Sequence, residues 1–320
     1  MKKKRLMLAV LTAFMVLPLV ACRKEGVADN SKVSIGIMQY AEHPALDSAR
    51  EGFMEALAEG GYKEGKNLKV TLKNAQGEQS NLQTMVEQLA GKNNLNFAIA
   101  TPAAQALLNT DPETPAVFTA VTDPLAAGLA NSFRKPGKNM TGSIDATEVS
   151  DQIDLLIKVV PKAKRVGIFY NSSEVNSEVQ AKAARKVLEK KGMKVVEKTV
   201  TTSNDVQQVM TSLASQVDAV YLPTDNTVAS TATTVGQVLK DAKVPALGSD
   251  EAYLQATLLT SGVDFKAIGK SAGKQALAIL KGEKASDLAI VKPQKPLIAI
   301  NEDMAKSLGR NVAELKALVK

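Results

Sequence analysis

The chain has 320 residues, 45% of them apolar and 23% charged, a balance that fits folded domains and excludes a disordered chain. Its formal charge is +7, but Lys2, Lys3, Lys4 and Arg5 supply four of those positives, and +7 less these four leaves a mild +3. No Lys/Arg cluster is interleaved with aromatic residues, so no nucleic-acid partner is expected.

From the N-terminus, the four cations lead into an uncharged apolar run over 6–21, broken only by Thr12 and Pro18, that ends in Leu19-Val20-Ala21-Cys22. A positive end, a short apolar segment and small residues before a cut describe an export signal over 1–22. Cys22, directly after Leu-Val-Ala, resembles the lipidated first residue of a mature lipoprotein. It is the only cysteine, so no disulfide can form within the chain and an anchor is the simplest role for the thiol. The run is short for a membrane span of about 20 residues, whereas a diacyl anchor supplies the two chains that stable attachment needs. Residues 23–31 (RKEGVADNS) are polar and aperiodic, as in a flexible tether. The expected location is therefore the outer face of the plasma membrane, with the domain held by lipid.

Beyond the tether, strands and helices alternate. The sequence predicts a strand at 33–38, a helix at 45–58 stopped by Gly60-Gly61, a strand at 67–72, a helix at 80–89, a strand at 97–100, a helix at 102–108 and a strand at 116–119. The plan then restarts, with strands at 165–170, 194–199, 219–222 and 244–247 and helices at 178–190, 206–215 and 229–241. The halves align partly by residue: Ile35-Gly36-Ile37 with Val166-Gly167-Ile168, and Thr114-Pro115-Ala116-Val117 with Val244-Pro245-Ala246-Leu247. This is an internal duplication of an α/β unit of about 110 residues rather than a short-period solenoid. A coda follows, with a strand near 257–262, a long helix at 265–281, a strand at 296–300 and a short helix at 302–308.

Apolar strands separated by helices imply parallel sheets. The expected fold class is α/β, two doubly wound αβα lobes joined by hinge strands. An N-terminal lobe is expected over 32–144 plus 263–283 and a C-terminal lobe over 145–262 plus 284–320, with a hinge near Gly142-Ser143-Ile144. In such a fold the carboxyl ends of the strands face one another and bind the ligand.

The strand-end loops then supply the candidate ligand-binding residues: Gln39, Tyr40 and His43; Thr101, Ala103 and Ala104; Thr122 and Asp123; Asn171, Ser172 and Ser173; Thr224, Asp225 and Asn226; and Asp250. None of these loops contains Arg, which weighs against phosphate or a dicarboxylate. Several lead into helices, whose free N–H groups accept anions. Backbone N–H groups near Thr101–Ala104, or those of Ser172 and Ser173, could hold a carboxylate. Asp225, with Asp123 or Asp250 as the alternative, could hold an ammonium. Together they describe a site for a zwitterion, of which an α-amino acid is the simplest. Each Asp also reads as a helix cap or turn former.

Other chemistries find little support. The chain has no Trp and 4% aromatics, which lowers the case for a sugar, and His43 is the only histidine. A Ser-His-Asp triad or a two-His zinc site would have to use that residue or do without. No HExxH, GxSxG, P-loop or GxGxxG pattern occurs, so no catalytic residue, metal or cofactor is expected.

The stretches EHPALDSAREGF, NAQGEQSNLQ, ATPAAQALL, VFTAVTDPLAAGL, YNSSEVNSEVQ and PTDNTVAS resemble the substrate-binding lipoproteins of ABC importers, in the branch associated with tryptophan and tyrosine uptake. The resemblance spans about 33–308. It implies a type I solute-binding fold that closes around one small ligand, here an amino acid with an aromatic side chain, and delivers it to an ABC permease as a monomer. Another cargo (a branched amino acid, a nucleoside or a sugar), an exported enzyme, an adhesin and a sensor subunit are the competing readings.

Overall fold

The computed structural model describes residues 32–319. The expected export signal, Cys22 and the tether lie outside the described residues.

Chain order in the first half is β1 (Val33–Gln39), α1 (Pro44–Glu59), β2 (Leu68–Asn74), α2 (Gln79–Leu89), β3 (Leu95–Ile99), α3 (Thr101–Thr110), β4 (Ala116–Val121) and β5 (Met140–Ile144). Their five strands form one parallel sheet in the order β2-β1-β3-β4-β5. Every residue of β3 and β4 is buried. Since alternate side chains point to opposite faces, both faces of this sheet are covered. The covering helices are amphipathic: α1 turns Ala45, Leu46, Ala49, Phe53, Ala56 and Leu57 inward, and Phe53 stacks on Phe97 of β3 with ring centroids 3.7 Å apart.

The second half runs α4 (Val149–Val159), β6 (Arg165–Asn171), α5 (Val175–Lys190), β7 (Lys194–Val200), α6 (Val206–Ala214), β8 (Ala219–Leu222), α7 (Asn226–Ser230), α8 (Ala232–Asp241), β9 (Ala246–Gly248) and β10 (Leu259–Gly262). After β10 the chain forms α9 (Phe265–Leu280), which packs on α1, β4 and β5 of the first sheet. It then returns as β11 (Leu297–Ile300), α10 (Glu302–Ser307) and α11 (Val312–Leu318). The second sheet has the order β11-β10-β9-β8-β6-β7. The chain thus crosses between sheets after β5, after β10 and before β11, and Val291 on the last crossing pairs with β5 through Ile144 N–H and Gly142 C=O.

The contact of α9 with α1 explains two glycines. A Cβ on Gly269 would sit 1.9 Å from the Ala49 carbonyl oxygen, and one on Gly52 would sit 2.0 Å from that of Lys266. Backbones this close admit no side chain between them.

Three features differ from the sequence reading. β5 and α4 were not expected as regular elements, because MTGSI lacks the β-branched run of a strand. The apolar stripe of α4, Ile153, Leu156 and Val159, is nevertheless buried. The single helix expected over 229–241 begins earlier and breaks at Thr231, which has φ −109° and ψ 18°. There the Thr231 hydroxyl donates to the carbonyls of Thr227 and Val228, and the Ser230 hydroxyl to Thr227, diverting the backbone from helix continuation. Finally, β11 joins β10 antiparallel, not parallel.

Candidate functional site

The strand-end loops of the two sheets face one another. Tyr40 and His43 follow β1, and their surroundings come from the other lobe: Glu174, Asp225 and Thr227 around Tyr40, and Asn226 beside His43. Nearer the crossings, Asp145, directly after β5, lies within electrostatic reach of Asp250 after β9. This juxtaposition defines the cleft.

Much of its polar chemistry is spent on holding the loops themselves. Glu174 is buried and accepts five hydrogen bonds, from Asn176 Nδ2, Asn226 N and Nδ2, and Thr227 N and Oγ1. Asp225 is its neighbour, 1% exposed. Its Oδ1 accepts from Val228 N at 2.8 Å, capping α7, and its Oδ2 accepts from Asn171 N at 2.6 Å. Burial and the charge of Glu174 push the Asp225 carboxyl well above its ordinary range. Asn171 is also consumed: its Nδ2 donates to Thr227 Oγ1 and its Oδ1 accepts from Ser173 N. Thr224 is bonded to Gln180 through N–H and Oγ1, and its hydroxyl meets that of Ser249.

Several expected contacts are therefore engaged elsewhere. Both ends of the Gln39 amide are used within its own lobe, the oxygen by Arg50 and the nitrogen by Ala41 O and Asp47 Oδ1. Ser172 and Ser173 are exposed, and their N–H groups donate to Val200 O and Asn171 Oδ1, so neither is free to hold a carboxylate. Asp123 is half-buried and closes a local turn by accepting from Leu125 and Ala126 N–H. Asp225, the first choice for an ammonium, has both oxygens bonded to backbone N–H groups instead.

What remains forms a coherent set. Among the described residues, Thr101 Oγ1, Thr122 Oγ1, Asp145 Oδ1, Asn176 Oδ1 and both ring nitrogens of His43 are buried without a well-formed hydrogen bond, as is Gln275 Oε1 on α9 away from these loops. Buried polar atoms of folded proteins are overwhelmingly paired, so the exceptions at these strand ends are the candidate ligand contacts. Thr101 opens α3, where Ala103 and Ala104 are fully buried in the first turn. The preceding residue, Ala100, has φ 83° and ψ 155°, a region that only glycine visits freely. Ala120, at the corresponding place in β4, has φ 54°.

The acidic residues follow β5 and β9. Asp145, which the sequence reading missed, is 4% exposed, and burial raises its carboxyl to about 6, with the Thr122 hydroxyl beside it. Asp250 accepts one bond, on Oδ1 from Ala252 N at 2.8 Å, and burial together with Asp145 raises it to about 8. Two buried carboxyls with unfilled acceptor capacity can accept hydrogen bonds from a cation. Tyr40 donates its hydroxyl to Gly77 O at 2.9 Å, and burial raises the phenol, keeping it protonated. Among the described residues no group of three or more His, Cys, Asp and Glu is arranged to hold a metal, and no helix is long and apolar enough to cross a membrane.

Comparison with known proteins agrees with this architecture. Residues 34–317 match the model of the ABC transporter substrate binding protein family. The tyrosine-binding protein of Clostridioides difficile (strain R20291) is 38% identical over 277 residues, covering 86% of this chain and 80% of its own. The crystal structure of an ABC domain in complex with L-Trp from Streptococcus pneumoniae is 34% identical, with a TM-score of 0.85 over 89% of this chain and 98% of that one. The ligand-free, open structure of a Clostridium difficile substrate-binding protein with adhesive properties is 40% identical, with a TM-score of only 0.66 over 87% of this chain and 95% of that one. The chain belongs to the family of ABC transporter substrate-binding proteins, which receive a small solute outside the cytoplasm for a membrane permease and are not enzymes.

Proposed function

We propose that this protein binds a free α-amino acid with an aromatic side chain in the cleft between its lobes. The observation that carries the reading is the ordered set of buried, unpartnered polar atoms at the strand ends. The N-terminus of α3 with Thr101 suits a carboxylate, and Asp145 with Asp250 suits an ammonium. Asp250 stood among the sequence candidates as an alternative to Asp225, and Asp145 joins it here. An L-Trp complex and a tyrosine-binding protein among the relatives support an aromatic side chain. The higher TM-score to the L-Trp complex than to the open structure, despite lower identity, supports a closed arrangement of the lobes.

In this reading the mature protein acts as a monomer, tethered through lipid on Cys22, and passes its ligand to an ABC permease. Loss of palmitate-analogue labelling in Cys22→Ala, with normal folding, is the expected check of the anchor, and persistent labelling would remove it. The ligand class is tested by a thermal-shift screen of the mature chain against all amino acids, nucleosides and common sugars. A ligand at a hundred-fold excess over its dissociation constant stabilises the native state by about 2.7 kcal/mol. The expected result is a raised midpoint with aromatic amino acids and none with sugars or nucleosides. A response to a sugar or a nucleoside alone would overturn the proposal.

A further inference from the structure

Resting on the amino-acid reading above, we infer that His43 is a specificity-determining residue that hydrogen-bonds a polar atom on the ligand's ring, so that a phenol or an indole is selected over plain phenyl. The ring of His43 is 5% exposed, and both its nitrogens are buried without a well-formed hydrogen bond among the described residues. His43 also occupies the N-cap position of α1, with extended backbone (φ −160°, ψ 161°), yet its side chain makes no capping bond. The helix therefore does not account for the buried imidazole.

Placement along the sheet gives the ring its role. The carboxylate and ammonium groups proposed above follow β3 and β5, either side of β4, whereas β1 lies on the other side of β3. Neighbouring strands are about 5 Å apart, so a side chain leaving an amino acid held over β3 and β4 reaches the end of β1, where Tyr40 and His43 stand. The opposite lobe has the same order: Asp250 follows β9, and Asn226, beside His43, follows β8, the next strand. The Tyr40 hydroxyl is already committed to Gly77 O, and the N–H and Nδ2 of Asn226 to Glu174. The Asn226 amide oxygen stands within bonding reach of one imidazole nitrogen, so the other nitrogen is the polar atom at this end that a ligand can still satisfy.

Burial lowers the His43 pKa to about 4, so the ring is neutral at physiological pH, with one N–H donor and one acceptor nitrogen. The acceptor matches a phenol or an indole N–H, both of which donate. Phenylalanine offers neither and leaves the nitrogen that faces the ligand orphaned. A site built to hydrogen-bond a substrate group discriminates against the analogue lacking it much more strongly than an apolar pocket does.

Because His43 is the only histidine in the sequence, a tag-free protein gives a single set of imidazole resonances. Calorimetry with tryptophan, tyrosine and phenylalanine, together with histidine-selective 15N spectra, tests the inference on the mature protein. Phenylalanine is expected to bind roughly tenfold or more weakly than tyrosine or tryptophan, a difference of about 1.4 kcal/mol or more. Tyrosine and tryptophan should move a ring-nitrogen resonance that phenylalanine leaves near its free position. In His43→Leu the preference should shrink to within about threefold, chiefly by loss of tyrosine and tryptophan affinity, and His43→Gln should restore part of it. Equal affinity for all three ligands in the wild type, or identical imidazole shifts in all three complexes, would overturn the role of His43 and leave the amino-acid reading standing. Absence of binding to every aromatic amino acid would remove both. If His43→Leu does not fold, the wild-type affinities and spectra decide alone.

Discussion

A single side chain's place in the sequence says which cleft it faces but not whether its oxygens are free. Asp123, Asp225 and Asp250 all stand at strand ends and were legible as candidates. Asp225 is taken up by Asn171, 54 residues away in sequence, a partner no local pattern reveals. Asp145 was missed for the converse reason, since nothing in the surrounding SIDATEVS marks it. It reaches the cleft only because β5 adds to the edge of the first sheet. The raised carboxyls have a consequence for pH. Asp145 and Asp250 have pKa values of about 6 and about 8 in the folded chain against 3.8 for an ordinary Asp. The folded state thus holds more protons than the unfolded one between about pH 4 and 8, so their contribution to stability is fully present below pH 4 and lost as pH rises through the folded values. An ammonium ligand favours the ionised pair and offsets this loss. The rise in melting midpoint caused by a saturating aromatic amino acid should therefore grow from pH 5 to pH 8. Asp250→Asn should flatten that growth and weaken binding by about tenfold to a hundredfold, the size of one charge-assisted bond. A ligand-induced shift that is constant with pH in the wild type would count against the acidic subsite.

At the scale of elements, most strands and helices were readable because the apolar periods of 2 and 3.6 are strong in β1, β6, α1 and α9. What was not readable depended on competition. The helix through Ala229 ends at Thr231 because hydroxyls bid for its carbonyls, and β5 exists because a sheet edge accepts it. The short α7 shows what such an element needs. It has five residues, too few to hold itself, and its N-terminus is fixed by the Asp225 cap and by Glu174 bonds to Asn226 and Thr227. Asp225→Ala removes the cap, worth about 1 kcal/mol, and orphans the buried Asn171 N–H, at about 1–3 kcal/mol more. A clear fall in melting point is therefore expected, with amino-acid affinity changed by no more than about threefold. A loss of affinity beyond tenfold at an unchanged melting point would return Asp225 to the ligand.

On the scale of the whole molecule, the duplicated α/β plan was legible from the repeat of strand-end signatures such as Thr114-Pro115-Ala116-Val117 and Val244-Pro245-Ala246-Leu247. The antiparallel return of β11 was not, because a four-residue apolar run carries no direction. Two sheets joined by three crossings can move as rigid bodies about those segments. The cleft polar groups decide where that equilibrium lies. Among the described residues, the well-formed hydrogen bonds of the loops after β1, β3 and β4 and of those after β6, β8 and β9 stay within their own lobes, and across the cleft only Asn226 and Thr227 come within bonding reach of His43 and Tyr40. Closure without ligand therefore buries Asp145, Asp250 and Thr101 with little in exchange, whereas closure on a zwitterion pairs them. At neutral pH the ligand-free protein is expected to favour an open arrangement, and an aromatic amino acid to reduce the radius of gyration in solution scattering. The double variant Asp145→Asn, Asp250→Asn removes the charge that opposes closure, so its ligand-free radius should already be smaller than that of the wild type, although it binds the amino acid more weakly. Identical scattering curves with and without a ligand shown by calorimetry to bind would refute the coupling of these carboxyls to closure.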